Sequence, residues 1–206
     1  MWRANQIYTL PNKDIIAFFK SYDSLKNRLF LINDLEGIRS DYTRSFMLSD
    51  NDCINKHMWH SLPKGGLLAI APVLYKTGYD DFDEDDLFLK SNYSENINAR
   101  WNEFEGDVPD VLNSLHQKTH IPILHYTCEM WGGDIEEESA IVFNKGNFIY
   151  KFDADGNKSY QLKDDSAIEI DTTPLQKGFE HLGLHLPTWF FALHEGSFNW
   201  KRYWII

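Results

Sequence analysis

Cysteine is nearly absent from this chain: Cys53 and Cys128 are its only two in 206 residues. Neither has a second cysteine nearby. A bridge between them is allowed by number, but a chain of this size does not need one to fold, and two reduced thiols are the expectation. Long apolar runs are missing as well. The longest, Leu67 to Tyr75, is interrupted by Pro72 and falls far short of the roughly 20 residues that a membrane-spanning helix needs. The opening, Met1 to Tyr8, lacks a basic stretch followed by an apolar core, so no secretory signal is expected and the cytosol is the default location. There is no repeat, no low-complexity linker and no glycine-rich hinge.

Positive charge is also scarce. Twenty Lys and Arg stand against 31 Asp and Glu, a formal net charge of −11. A nucleic-acid binder needs a basic footprint to displace counterions from phosphates, and anionic headgroups repel an acidic surface. Neither direct nucleic-acid binding nor membrane binding is therefore expected. Acidity favours a basic partner instead, through steering more than through raw affinity.

Apolar and aromatic residues, by contrast, are plentiful. Seven Trp, ten Tyr and fourteen Phe, within 43 % hydrophobic residues overall, supply a core without disulfide staples and exclude a disordered chain. Gln6 to Leu10 reads as a short strand closed by Pro11. From Asn12, a helix N-cap residue, Ile15, Ile16, Phe19, Tyr22 and Leu25 recur at helical spacing, which predicts a helix to about Lys26. Leu29 to Ile32 either extends it or begins a strand. Ser49 to Asp52 is a second N-cap cluster, before a segment from Ile54 to Trp59. Leu67 to Ala71 reads as a buried strand.

A compositional change near residue 107 suggests an N-terminal α/β region, 1–107, and a C-terminal region, 108–206, separate or parts of one domain. Pro109 opens a helix with Val111, Leu112 and Leu115 on one face. Four strands follow, at Ile121 to Glu129, Ser139 to Phe143, Asn147 to Phe152 and about Tyr160 to Leu162, joined by short turns. That pattern predicts an α+β fold with an antiparallel meander packed against helices. Thr172-Thr173-Pro174 caps a closing helix that ends at Gly183.

Motifs that carry chemistry fail their context tests. Asp80, Asp81, Asp83, Glu84, Asp85 and Asp86 form an acidic run with no glycine inside it to shape a calcium loop, and read as a solvated face or a partner-binding patch. Asp153 to Ser159 superficially resembles a calcium-binding loop, but Lys158 sits where glycine is required and strands flank it, so a hairpin turn is expected. His57 and His60, His116 and His120, and His181 and His185 have suggestive spacing without the adjacent glutamate of a zinc protease; they read as helical-surface histidines. Cys128 with His125 or His194 is a conceivable nucleophile and base, yet His125 and Cys128 lie on opposite faces of one strand. Glu129 with Glu136, Glu137 and Glu138 offers a carboxylate pair that spacing alone does not establish. Gly65-Gly66 and Gly132-Gly133 lack the sequence of a phosphate loop. No enzyme activity, cofactor or metal is expected.

The segment Ile123 to Gly133, with its strand, Glu129, Trp131 and Gly132-Gly133, resembles a group of small bacterial immunity-like proteins of polymorphic toxin systems. Ser139 to Phe143 matches the group's second strand, Pro109 to Leu115 its preceding helix, and Pro174 to Leu184 its closing helix; Phe191-Ala192-Leu193 echoes its tail. The similarity spans about residues 108–200. Met130 stands where the group has an aromatic residue, and three glutamates occupy the following link, which fits a scaffold whose surface has diverged to suit one partner.

The resemblance implies an immunity protein that binds and neutralises a cognate, basic, nuclease-like toxin domain in the cytosol, of the kind used in contact-dependent inhibition. Asp80 to Asp86 and Glu136 to Glu138 would face it. Glu129 and Trp131 would be displayed beside the Gly-Gly turn, unless Trp131 is core. The alternatives are a divergent enzyme with a carboxylate or Cys128 site, and an adaptor that self-associates through its aromatic C-terminus, Trp200 to Ile206.

Overall fold

The computed structural model describes residues 2–34, 62–73, 98–132, 134–184 and 199–205. The acidic run 80–86, the segment 49–59, Gly133, Cys53, His57, His60, His185, His194 and the tail motif 191–193 lie outside the described residues.

The first strand, β1, runs over Trp2–Thr9, longer than the apolar pattern from Gln6 suggests. Its N-terminal half pairs with a distant strand, so tertiary contacts make a strand of residues that alternate too weakly to announce one. Asn12 then caps helix α1, Lys13–Lys20, its Oδ1 accepting from the backbone N–H of Asp14 at 2.8 Å and of Ile15 at 3.3 Å. Ile15 and Phe19, four apart, are its buried positions. The helix stops at Lys20, short of the expected Lys26. Ser24 explains why: its N–H donates to Glu103 Oε1 at 2.7 Å and its hydroxyl to the Arg100 carbonyl at 2.6 Å, which pulls the chain into turns while Leu25 still reaches the core. Strand β2 is Leu29–Ile32 and β3 is Leu67–Ile70.

Helix α2, Val108–Thr119, has Pro109 in its first turn and ends at His120 in the left-handed conformation. Leu112 and Leu115 are buried as the spacing predicts. His116 is buried too, not on the surface, with Nδ1 2.8 Å from the Ile121 carbonyl. The meander follows: β4 Ile123–Trp131, β5 Asp134–Phe143, β6 Asn147–Asp153, β7 Lys158–Lys163 and β8 Ser166–Ile170. β8 is an additional strand that its short, exposed sequence does not advertise. Helix α3, Pro174–Glu180, opens with a reciprocal capping box between Thr173 and Gln176 and closes where Gly183 turns left-handed.

All the described strands join one eight-stranded antiparallel sheet in the order β2-β3-β1-β4-β5-β6-β7-β8. The fold is α+β, with the antiparallel meander in its C-terminal half. β1 lies between β3 and β4, paired with β4 from Trp2↔Met130 to Thr9↔Ile123; the regions on either side of residue 107 thus contribute strands to the same sheet.

Alternation splits the core in two. Ile7, Leu68, Ile70, Ile123 and Phe143 meet α1, α2, Trp101 and Phe104 on one face. Tyr8, Leu124, Tyr126, Ala140, Val142 and Tyr150 meet α3, Trp200 and Tyr203 on the other. Gly178 lets α3 sit close, because a Cβ there would come within 2.6 Å of Leu124 Cδ1. In the C-terminal aromatic segment, the alternative self-association surface, Trp200 and Tyr203 are buried against the sheet and Trp204 bridges to Phe30.

Candidate partner-binding surface

The β4–β5 hairpin carries the residues that the sequence singles out. Its strands pair in register up to Glu129↔Glu137, then resume at Met130↔Ile135. Glu136 is the extra residue of this β-bulge, left without a cross-strand partner. Beyond it Trp131 faces Asp134, and Gly132 turns the chain at φ +62°. Trp131 is 59 % exposed, so it is displayed and not core. Glu129 is held by Arg3, which neighbours it across β1: Nε lies 2.9 Å from Oε1, and Nη2 donates to Oε2 at 3.3 Å. No sequence signal links Arg3 to Glu129, because their pairing depends on the placement of β1.

Glu136 and Glu137 are exposed, whereas Glu138 is buried at 4 % exposure. The run of three glutamates is therefore not one surface patch. Successive strand residues face opposite ways, and Glu138 takes the α3 side. Its Oε1 accepts from the Leu175 N–H at 3.1 Å and from the Tyr126 hydroxyl at 3.3 Å, while Oε2 has no hydrogen-bond partner among the described residues. Burial pushes its carboxyl up to about 7, against those two hydrogen bonds. Cys128 stands directly opposite Glu138 across the β4–β5 ladder, and burial pushes its thiol up to about 12. A thiol so held is almost wholly protonated at neutral pH and is a poor nucleophile.

His125 lies on the opposite face from Cys128, as alternation predicts. Its Nε2 is 2.9 Å from Asn5 Oδ1, Asn5 Nδ2 donates to Asn98 Oδ1 at 3.0 Å, and burial pushes the imidazole down to about 4. Cys128, His125 and Glu129 are not gathered into a common pocket. Among the described residues, His181 Nε2 lies 2.8 Å from the Tyr150 hydroxyl, at the end of α3, and His116 bonds the Ile121 carbonyl. Among the described residues no group of three or more His, Cys, Asp or Glu is arranged to hold a metal. Asp153 and its neighbours form the β6–β7 hairpin turn, with Asp153 Oδ1 accepting from the Asp155 N–H at 3.2 Å. A half-open cleft of about 330 Å³ lies between α1 and α2, lined by Asp14, Phe18, Glu105, Val111 and Lys118 among others; its two hydroxyls, Ser114 and Thr119, donate to the backbone carbonyls of Asp110 and Leu115.

The hairpin end combines exposed charge with an exposed aromatic ring. Glu137 sits directly across from Glu129 on one face, a like-charge pair that costs a few tenths of a kcal/mol or more where nothing compensates it. Arg3 neutralises one of the two. Asp134, opposite Trp131 in the ladder, and Glu136 and Glu137, further along β5, are all exposed and leave uncompensated negative charge on the strand beside it. Asp153 and Asp155 in the β6–β7 turn lie at the same end of the sheet, because antiparallel hairpins alternate ends. Among the described residues no helix is long and apolar enough to cross a membrane. Compared with known proteins, the chain matches no protein-family model, no curated protein and no solved structure.

Proposed function

We propose that this chain is an immunity protein, which binds a cognate bacterial toxin domain with a basic surface and neutralises it in the cytosol. The observation that carries the reading is the exposed Trp131, set among Glu136, Glu137 and Asp134 at the end of the β4–β5 hairpin. A large indole held on a rigid strand supplies contact area at little entropic cost, and surrounding carboxylates steer a basic partner onto it. The net charge of −11 acts in the same direction at longer range. Neutralisation then needs no chemistry: it follows from occupying or covering the toxin's active surface.

The test is co-purification with the product of the adjacent upstream gene at low and high salt. A complex is expected at low salt, with association slowing as salt screens the carboxylates. Trp131→Ala should lower affinity by about 30-fold or more, the range of an interface anchor, while leaving the thermal midpoint unchanged because the side chain is exposed. Absence of any complex at low salt overturns the proposal.

A further inference from the structure

The sheet has two edges, and they are finished differently. At β2 the edge is closed by the chain's own C-terminal residues: Phe30 bridges to Trp204, and the Ile205 N–H donates to the Leu29 carbonyl at 2.9 Å. Tyr203 and Arg202 fasten that closure to Asp34, at 2.6 Å and 2.9 Å. At the other end lies β8, and among the described residues neither strand nor bridge pairs with its outer side. Ser166 to Glu169 are exposed, Ile168 at 52 %.

Strand geometry says which groups that edge offers. Lys163 and Ser166 pair across the loop Asp164-Asp165. Across so short a loop this must be a hydrogen-bonded pair. Alternation then turns the backbone groups of Ser166, Ile168 and Ile170 toward β7, and those of Ala167 and Glu169 outward. An open edge of this kind is a template for another strand, and proteins usually guard it with proline, lysine or a bulge. The stretch Ser166–Ile170 has none of these. Its one charge, Glu169, is tied to Lys158 at 2.7 Å.

Charge decides what can dock. From Asp164 to Asp171 the chain carries Asp164, Asp165, Glu169 and Asp171 and no basic residue. In a second copy paired antiparallel about Ile168, the turn carboxylates Asp164 and Asp165 of each copy would come toward the other's Asp171 at the ends of β8, between two chains of net charge −11. Repulsion between like charges opposes self-pairing. A basic strand reverses each of those terms. We propose that β8 is a strand-addition site for an extended, basic segment of a partner protein. Backbone hydrogen bonds form at Ala167 and Glu169, an apolar side chain packs on Ile168, and lysine or arginine meets Asp164, Asp165 and Asp171. The inference rests on the protein-binding reading above and adds how, and through which edge, the partner is held.

A labelled peptide of alternating lysine and valine is the probe, titrated into the full chain at low salt. The control is the same peptide with alternate backbone amides methylated, which keeps its charge but removes its strand-forming groups. The plain peptide should bind and raise hydrogen-exchange protection at Ala167 and Glu169. The methylated peptide should bind roughly tenfold more weakly or worse. Ala167→Pro and Ile168→Lys should each weaken binding similarly, with thermal midpoints close to the parent's because the edge is exposed and the inward hydrogen bonds remain. Equal binding of both peptides, or protection that appears elsewhere, overturns the proposal. A toxin complex that forms and is untouched by Ile168→Lys also overturns it while leaving the immunity reading intact. Peptide docking on β8 without any toxin complex does the reverse.

Discussion

Glu138 and His125 are buried on opposite faces of the sheet, and their burial gives the protein two opposed pH dependences. The carboxyl of Glu138 rises from 4.5 to about 7 on folding. Between those values the native chain holds a proton that the unfolded chain has released, so stability falls as pH rises. This contribution is fully present below about 4.5 and lost as pH climbs through 7. His125 falls from 6.5 to about 4, so the unfolded chain takes up its proton first; that contribution is present above 6.5 and lost as pH drops toward 4. Each is on the order of 3 kcal/mol before other groups respond. Glu138→Gln should therefore raise the thermal midpoint at pH 8 and confer no advantage at pH 4.5, measured by melting curves across that window. An equal gain at both values would show that Glu138 does not titrate as a buried, raised carboxyl.

At the level of elements, the sharpest local requirement sits just before β3. Gly66 has φ +96°, and a Cβ there would lie 2.5 Å from the Ile32 carbonyl oxygen. The β2–β3 pairing brings that backbone close, so the neighbour cannot swing aside as a side chain would. Gly66→Ala should destabilise the protein by about 2–4 kcal/mol through a strained left-handed backbone and the clash, read from denaturant unfolding. A loss near zero would mean that β2 and β3 do not meet as described. Gly65-Gly66 directly precedes the apolar run of β3 in the sequence, but the close approach of Ile32 that it must accommodate is not legible there.

Other elements divide in the same way. The caps of α1 and α3 were legible because Asn12 and Thr173-Pro174 act within a few residues of themselves. The length of β1, the early stop of α1 and the existence of β8 were not, because each depends on residues distant in sequence. At the candidate surface, the sequence leaves Trp131 either displayed or core, and Glu136 to Glu138 reads as one patch although Glu138 points inward. The bulge at Glu136 and the strand register settle both, and neither is announced by residue type.

For the whole molecule, the decisive fact is that β1 sits between β3 and β4. The C-terminal region carries the resemblance and the meander, but β4 relies on β1 for its other ladder, and Ala4, Ile7 and Tyr8 fill both cores. A fragment of residues 108–206 should therefore lack a cooperative thermal transition, checked by calorimetry and by the spread of its amide NMR signals. Cooperative unfolding of that fragment with well-dispersed signals would show that the region folds alone. The same arrangement ties function to the N-terminus, since Arg3 on β1 neutralises Glu129 beside the candidate surface.

The residues alone determined an acidic chain with ample core material, an antiparallel meander and capped helices. Those properties rest on composition and on short-range periodicity, which act within a few residues of one another. Tertiary structure decided the rest: that β1 lies between β3 and β4, that one sheet edge is closed by the C-terminal residues while no described residue pairs with the outer side of β8, that Glu138 is inside and Trp131 outside. Each of these depends on strand order and register, and a single-residue change of register exchanges the two faces of a strand.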